Sequence, residues 1–465
     1  MAPSFEKTTS VDASVEELFD WHTRPGALTR LLPPFEGARI EGEDRGPVAG
    51  ERVELEVPVG PIGTRWVARI ERVERPTGFV DVQESGPFAS WRHEHRFEHA
   101  ASGAVMRDHI EYELPVASVS RPIVGGFVER KLERGFRYRH DTVVADLAMH
   151  REHRALAGDR FPRRVLVAGA SGLVGEGLCA MLSTGGHEVV RLVRRDARGD
   201  DEIAWDPAHH VLDPARVAGF DAVVCLSGAG IADGRWTDER KELLRSSRLD
   251  SIDTLARALL ASGAPPRVLV QASAVGFYDD SGERPLDESA PRGRGFLPEL
   301  CEAWEDASRP LEEAGVRVAR MRLGVVLTPS GGALAKMLPA FRLGVGGRVG
   351  DGRQWLTWVA YDDVLAAFHR ALCDERLAGP VVVAAPEPIQ QRDFARTLGR
   401  VLHRPAIAPL PGPVVGALFG EMGRTLLLRG PRAVPGRLME GGFRHRHPDL
   451  EGALRHLLGT GPVRW

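Results

Sequence analysis

Val165-Leu-Val-Ala-Gly-Ala-Ser-Gly-Leu-Val-Gly175 reads as a strand, a glycine turn and the opening of a helix. Val165 to Ala168 has the length and apolarity of a buried parallel strand, and Leu178, Met181 and Leu182 follow the glycines at helical spacing. The three glycines have separable roles. Gly169 allows the tight turn, Gly172 lets the backbone approach a pyrophosphate, and Gly175 lets helix and strand pack closely. Backbone N–H groups of Ser171, Gly172, Leu173 and Val174 would then face the phosphates at the positive end of the helix. A second apolar strand, Glu188-Val-Val-Arg-Leu-Val193, completes the context that a bare glycine triad lacks.

Further strands are predicted at Asp221–Leu226, Arg267–Ala272, Arg317–Arg322 and Val381–Ala384, alternating with helical segments as in a doubly wound parallel sheet. Ligands of such sheets sit beyond the carboxyl ends of the strands, so the residues just after each strand are the informative ones. After the second strand, where a carboxylate would hold the ribose diol of NAD, stand Arg194 and Arg195. A guanidinium there can fork onto a 2′-phosphate, so NADP is expected over NAD, with Arg194 chosen for the contact and a plain surface arginine as the alternative. Ser227-Gly228-Ala229-Gly230 follows the third strand and lets the backbone pass close to the cofactor. Ser273 ends the fourth, with Tyr278 five residues on. In the loop Gly350-Asp-Gly-Arg-Gln-Trp-Leu-Thr-Trp358, Arg353 beside an aromatic platform suits an anionic or carbonyl-bearing ligand, and Gln354 joins it as a site residue. Trp355 and Trp358 can equally be core, and Asp362 and Asp363 fit a helix N-terminus.

Residues 1–150 read differently, as one short helix, a run of strands and one long helix, an α+β order. Ser14 and Glu17 make a capping box for Val15 to Trp21. Val53, Leu55 and Val57 alternate with charged residues, and Trp66–Ile70, Phe79–Val82, Trp91–Phe97 and Ile110–Leu114 continue an antiparallel series with one wet face. Phe127, Val128, Leu132 and Phe136 place a long amphipathic helix over it. His93 and His95 share a strand face, as metal ligands do, but an exposed face interleaved with Arg92, Glu94 and Arg96 accounts for them, and no metal is predicted. The charged stretch running from Asp141 to Phe161 off the end of the helix reads as linker, with the boundary set at 151–162. Residues 163–405 and 406–465 form the nucleotide domain and a C-terminal segment.

The 465 residues suffice for two or three domains. A net charge of −3 gives no electrostatic case for nucleic acid or an anionic membrane. Four scattered cysteines without a Cys-x-x-Cys pair point to reduced thiols, and with no apolar leader after Met1 and no run of spanning length a cytoplasmic protein is expected. Oligomeric state is not readable.

Val11 to Phe19, Trp21-His-Thr-Arg-Pro-Gly26, Gly86-Pro-Phe-Ala-Ser-Trp91 and Phe136-Arg-Tyr-Arg-His140 resemble the START-like, polyketide-cyclase/SRPBCC superfamily. That resemblance implies a helix-grip domain around an apolar ligand pocket. Gly169 to Gly175, Gly230-Ile-Ala-Asp-Gly-Arg-Trp-Thr237 with Ser247-Arg248, Ser273 to Tyr278, Arg322 to Leu327, Pro339 to Gly347 and Gly352 to Trp358 resemble the extended, atypical short-chain dehydrogenase/reductases. More closely they match the NAD-dependent epimerase/dehydratase-like proteins, often labelled sugar-nucleotide epimerases, with Pro435 to Phe443 as their DUF1731 tail. In that class a Ser or Thr at the Ser273 position binds the reacting oxygen and a Tyr-x-x-x-Lys supplies the proton. Here Leu297 and Cys301 occupy those two positions if Glu305 is aligned with the acidic residue that follows the lysine by four.

The resemblance therefore implies an NADP-binding reductase, dehydrogenase or epimerase with Ser273 orienting and Tyr278 substituting as proton donor. Tyr278 would need a cation, for which Arg235, Arg322 and Arg353 are the candidates and, with Gln354, the expected substrate contacts. The alternative is a redox-inactive NADP(H)-binding sensor or scaffold.

Overall fold

The computed structural model describes residues 3–59, 62–114 and 121–461. Met1 and Ala2, part of the expectation of a leaderless chain, lie outside them. The chain divides into two compact units, Met1–Ala155 with Cys179–His187 and Leu457–Gly459, and Leu156–Leu178 with Glu188–His456 and Thr460–Trp465. Among the described residues no helix is long and apolar enough to cross a membrane.

In the first unit seven strands are described: β1 (Ser4–Val11), β2 (Arg39–Glu41), β3 (Arg52–Val59), β4 (Ile62–Glu74), β5 (Gly78–Ser85), β6 (Ser90–His99) and β7 (Ala104–Glu113). They form an antiparallel sheet in the order β1-β7-β6-β5-β4-β3-β2. The expected capping box is formed, Ser14 accepting from the Glu17 N–H while Glu17 accepts from that of Ser14. Residues on one face of β5–β7 pack with the short helix and with Phe136, Val143 and Leu147 of the helix Arg121–Ala157.

Two expectations are overturned here. The stretch from Asp141 is not linker, because the helix continues to Ala157. Its side chains have buried partners, Asp146 taking a bidentate ion pair from Arg30 at 2.8 and 2.9 Å. Nor is the His93/His95 face exposed. The register Asp81↔His93, His95↔Asp108 and Phe79↔His95 puts both imidazoles on the inner face, at 3% and 7% exposure, beside buried Asp108 and half-buried Asp81.

The second unit holds the expected parallel sheet. Its strands are β8 (Arg164–Ala168), β9 (Glu188–Val193), β10 (Glu202–Ala204), β11 (Ala222–Cys225), β12 (Val268–Ala274), β13 (Arg317–Leu323), β14 (Val325–Leu327), β15 (Trp355–Leu356), β16 (Trp358–Ala360), β17 (Gly379–Val383) and β18 (Ile389–Gln390). The main sheet runs β10-β9-β8-β11-β12-β13-β17, all parallel. Val165 to Ala168, Ala222 to Cys225 and Val268 to Ala272 are buried throughout, as strands covered on both faces require. The order reverses at β8, where β9 leaves to one side and β11 to the other, and this creates the crevice beyond the strand ends. The described part of the C-terminal segment, 406–461, is held against the rest of its unit. The Leu286 N–H donates to Arg432 and the Val434 N–H to Leu286, so Ala433 packs with Val275, Tyr278 and Val382.

Candidate functional site

The glycine loop follows β8 as the sequence required. Gly169 has φ +82°, and a Cβ there would lie 2.8 Å from the carbonyl carbon of Leu226 and 2.9 Å from the Ser227 nitrogen. The turn thus crosses directly over the loop that leaves β11. A Cβ on Gly175 would lie 2.1 Å from the Gly169 oxygen, so only glycine lets the helix Leu173–Thr184 start against this turn. Gly172 closes it, donating to the Gly169 carbonyl at 3.1 Å.

The partners Ala168↔Leu192 and Ala168↔Cys225 put Arg194 on one side of the glycine loop and Ser227-Gly228 on the other. The two arginines after β9 have divided their work. Arg195 grips buried Glu202 at 2.6 and 2.7 Å, and this hydrogen bonding pulls the Glu202 carboxyl down to about 2. Arg194 is exposed and, among the described residues, makes no ion pair or hydrogen bond. Ser247 and Arg248 fix the other side. The Ala229 N–H donates to Ser247 Oγ at 3.0 Å, while Arg248 lies beneath Gly228 and 4.9 Å above the Trp304 ring.

Ser273, Tyr278 and Arg322 meet at the carboxyl ends of β12 and β13, and Glu305 on the helix Phe296–Asp306 joins them. Ser273 Oγ donates to Glu305 Oε1 at 2.6 Å; Arg322 donates to both Glu305 oxygens at 2.8 Å and to the Tyr278 hydroxyl at 2.9 Å. The guanidinium also lies 3.5 Å above the Phe277 ring. Burial would discharge Arg322, but Glu305 and the phenol hold its pKa above the usual arginine range.

This geometry assigns protons. Because Arg322 donates to the phenol oxygen, the Tyr278 proton is left to be given away. Because Ser273 spends its proton on Glu305, its oxygen is left to accept.

The cation expected beside Tyr278 is therefore Arg322, yet it does not activate the phenol. Burial outweighs it and pushes Tyr278 up to about 12, so the side chain holds its proton at neutral pH. Ser273 and Tyr278 are 1% and 3% exposed, and the tyrosine ring packs among Val275, Leu286 and Ala433. Cys301, at the position of the usual lysine, is a buried thiol pushed up to about 12 and supplies no charge.

The other expected substrate contacts are not brought to this cluster. Arg322 itself is held by Glu305 and Tyr278 rather than left open. Arg235 is bound to the carbonyls of Ala417 and Leu418. Gln354 spends its amide N–H groups on Val349 and Leu427 at 3.0 and 2.7 Å. The arginine on the aromatic platform is Arg432, 4.5 Å above Trp355, while Trp358 is core at 1% exposure. Arg353 is exposed and lines a separate open cavity of about 530 Å³ with Arg348, Arg392 and Arg396. Asp362 and Asp363 do begin a helix, Tyr361–Cys373, but are buried, Asp363 accepting from the N–H groups of Arg446 and His447. Glu305 is the site residue that sequence reasoning missed; its one signal was its spacing of four from Cys301.

Residues 165–384 match the NAD dependent epimerase/dehydratase family, 410–457 match DUF1731, a domain of unknown function, and 11–140 match the polyketide cyclase / dehydrase and lipid transport family. An epimerase family protein of Mycobacterium bovis is 40% identical over 290 residues, 62% of this chain and 96% of the relative. The crystal structure of a nucleoside-diphosphate sugar epimerase from Corynebacterium glutamicum is 31% identical with a TM-score of 0.80, covering 99% of this chain and 91% of that one. Human epimerase family protein SDR39U1 (isoform 2), solved with NADPH, is 33% identical with a TM-score of 0.60 over 63% of this chain and 99% of its own. The chain belongs to the NAD dependent epimerase/dehydratase family, with a polyketide cyclase-like domain before that module and a DUF1731 segment after it.

Proposed function

We infer that the protein is an NADP-binding oxidoreductase or epimerase of the short-chain type acting on a small molecule, with an N-terminal domain that takes an apolar ligand. The observation that carries the cofactor is the free Arg194 beside the glycine loop, since a guanidinium can fork onto a 2′-phosphate where a carboxylate would repel it. The human relative solved with NADPH supports this reading. Bound NADP(H) supplies hydride chemistry at the nicotinamide. Gly169, Ser171, Gly172, Leu173, Val174 and Gly175 would hold its phosphates, with Ser227 and Gly228 along its other side. Ser273 would accept from a substrate hydroxyl, and Tyr278 would donate to a developing alkoxide.

Replacing Arg194 with Ala should weaken NADPH by about 10- to 100-fold, the value of a charged hydrogen-bond pair, and leave NADH nearly unchanged in fluorescence titration. Equal losses would remove the 2′-phosphate assignment.

The burial of Ser273 and Tyr278 favours one second reading, a redox-inactive NADP(H)-binding sensor. Nicotinamide absorbance followed against a panel of carbonyl compounds separates the two. Turnover lost in Ser273→Ala and Tyr278→Phe establishes the enzyme; NADPH binding without turnover across the panel favours the sensor.

A further inference from the structure

The inner face of the N-terminal sheet carries a cluster of imidazoles and carboxylates that the nucleotide site does not use. His93 Nδ1 and His95 Nε2 lie 3.3 and 3.7 Å from one oxygen of Asp81, and the two imidazole rings are 3.8 Å apart. With bonds of about 2.0–2.1 Å, ligand atoms on a tetrahedral cation stand about 3.4 Å apart, so the spacing is that of three donors around an ion. The three donor atoms all fall within 4.8 Å of one another.

The far sides of the rings are also arranged. Asp108 Oδ1 accepts from His93 Nε2 at 2.9 Å and lies 2.7 Å from His95 Nδ1, there at an angle short of a formed hydrogen bond. Its other oxygen contacts His140 Nε2 at 2.6 Å, and His140 Nδ1 reaches Thr9 Oγ1 at 2.8 Å. A carboxylate behind a ligating imidazole fixes its tautomer and aims the opposite nitrogen at the metal. Here one carboxylate backs both rings, leaving the two nitrogens that face Asp81 as donors. A divalent cation would also offset the charge of Asp108, which is buried, and Asp81, which is half-buried, beside a core of Phe79, Trp91, Phe97 and Ile110.

We propose that His93 Nδ1, His95 Nε2 and Asp81 bind zinc or a similar divalent transition-metal ion inside the N-terminal domain, with Asp108 orienting the two histidines. Two imidazoles and a carboxylate suit such ions rather than calcium or magnesium. Three protein donors leave the fourth tetrahedral position to water or to an oxygen of the domain's ligand.

The test uses the full chain, stripped with chelator and titrated with Co²⁺ alone while the visible ligand-field bands are followed. The expected result is one equivalent with the intense bands of a tetrahedral site. Asp81→Asn and His95→Gln should each lose those bands. Asp108→Asn should keep the stoichiometry and bind about 10- to 100-fold more weakly, an effect expected of an outer partner. If one replacement does not fold by circular dichroism, the others decide. Wild type that takes up no cobalt overturns the proposal by itself. So does uptake unchanged in the variants, or uptake lost only in His456→Gln, which would place the ion at the buried Asp362–His447–His456 group instead.

Discussion

Glu305→Leu is expected to destabilise the second unit by about 3–5 kcal/mol, the cost of leaving a buried charge without its partner. Arg322 is 4% exposed and owes two of its hydrogen bonds to this carboxylate, and Ser273 owes it the acceptor for its hydroxyl. One substitution therefore strands both a guanidinium and an alcohol. The contacts left to Arg322 are the Tyr278 hydroxyl and the Phe277 and Tyr278 rings, which attract a cation but do not neutralise it. Urea denaturation followed by tryptophan fluorescence measures the loss. The double variant Glu305→Leu/Arg322→Met should recover most of it, because replacing a whole buried pair with apolar groups is often neutral. A double variant as unstable as the single one would show that the damage comes from Ser273 and Tyr278 rather than from the unpaired charge.

Gly175→Val should abolish measurable NADPH binding and cost about 1–3 kcal/mol of stability through overpacking. Even the Cβ would fall 2.1 Å from the Gly169 oxygen and 2.9 Å from the Ala170 Cα, both backbone, so no side-chain rotation relieves the clash. The helix start must move away from the turn, and the N–H groups that would cradle phosphate move with it. Calorimetric titration with NADPH, beside a denaturation curve, separates the two effects. Full affinity in this variant would rule the glycine loop out as the phosphate cradle.

The parallel sheet was legible because its strands are buried on both faces, so Val165–Ala168 and Val268–Ala272 stand out as apolar runs without needing their neighbours. The short strand at Glu202–Ala204 was not, since three residues carry no period and its place is set by pairing with β9. The histidines of β6 show a different limit. Alternation placed His93 and His95 on one face correctly, but which face was inner depended on Asp81 and Asp108 in other strands, invisible to a local pattern. The candidate site divided in the same way. Its backbone half, the glycine loop, is encoded within eleven residues; its side-chain half joins Ser273, Tyr278, Glu305 and Arg322, whose meeting is made by the β12–β13 register and one helix. Arg235, Gln354 and Trp358 have the composition of site residues, but Arg235 and Gln354 are occupied by the carbonyls of Leu418 and Leu427 in distant segments, and Trp358 by the core.

The split between the two arginines after β9 has an evolutionary consequence. Arg195 is tied into the sheet edge through Glu202, whereas Arg194 owes nothing to the fold. Drift at position 194 is therefore nearly free of folding cost, and if Arg194 makes the proposed 2′-phosphate contact, a single codon would suffice to trade one dinucleotide for another. Position 195 has no such freedom. Side by side in sequence, one residue is open to selection on metabolism and the other is bound by selection on architecture.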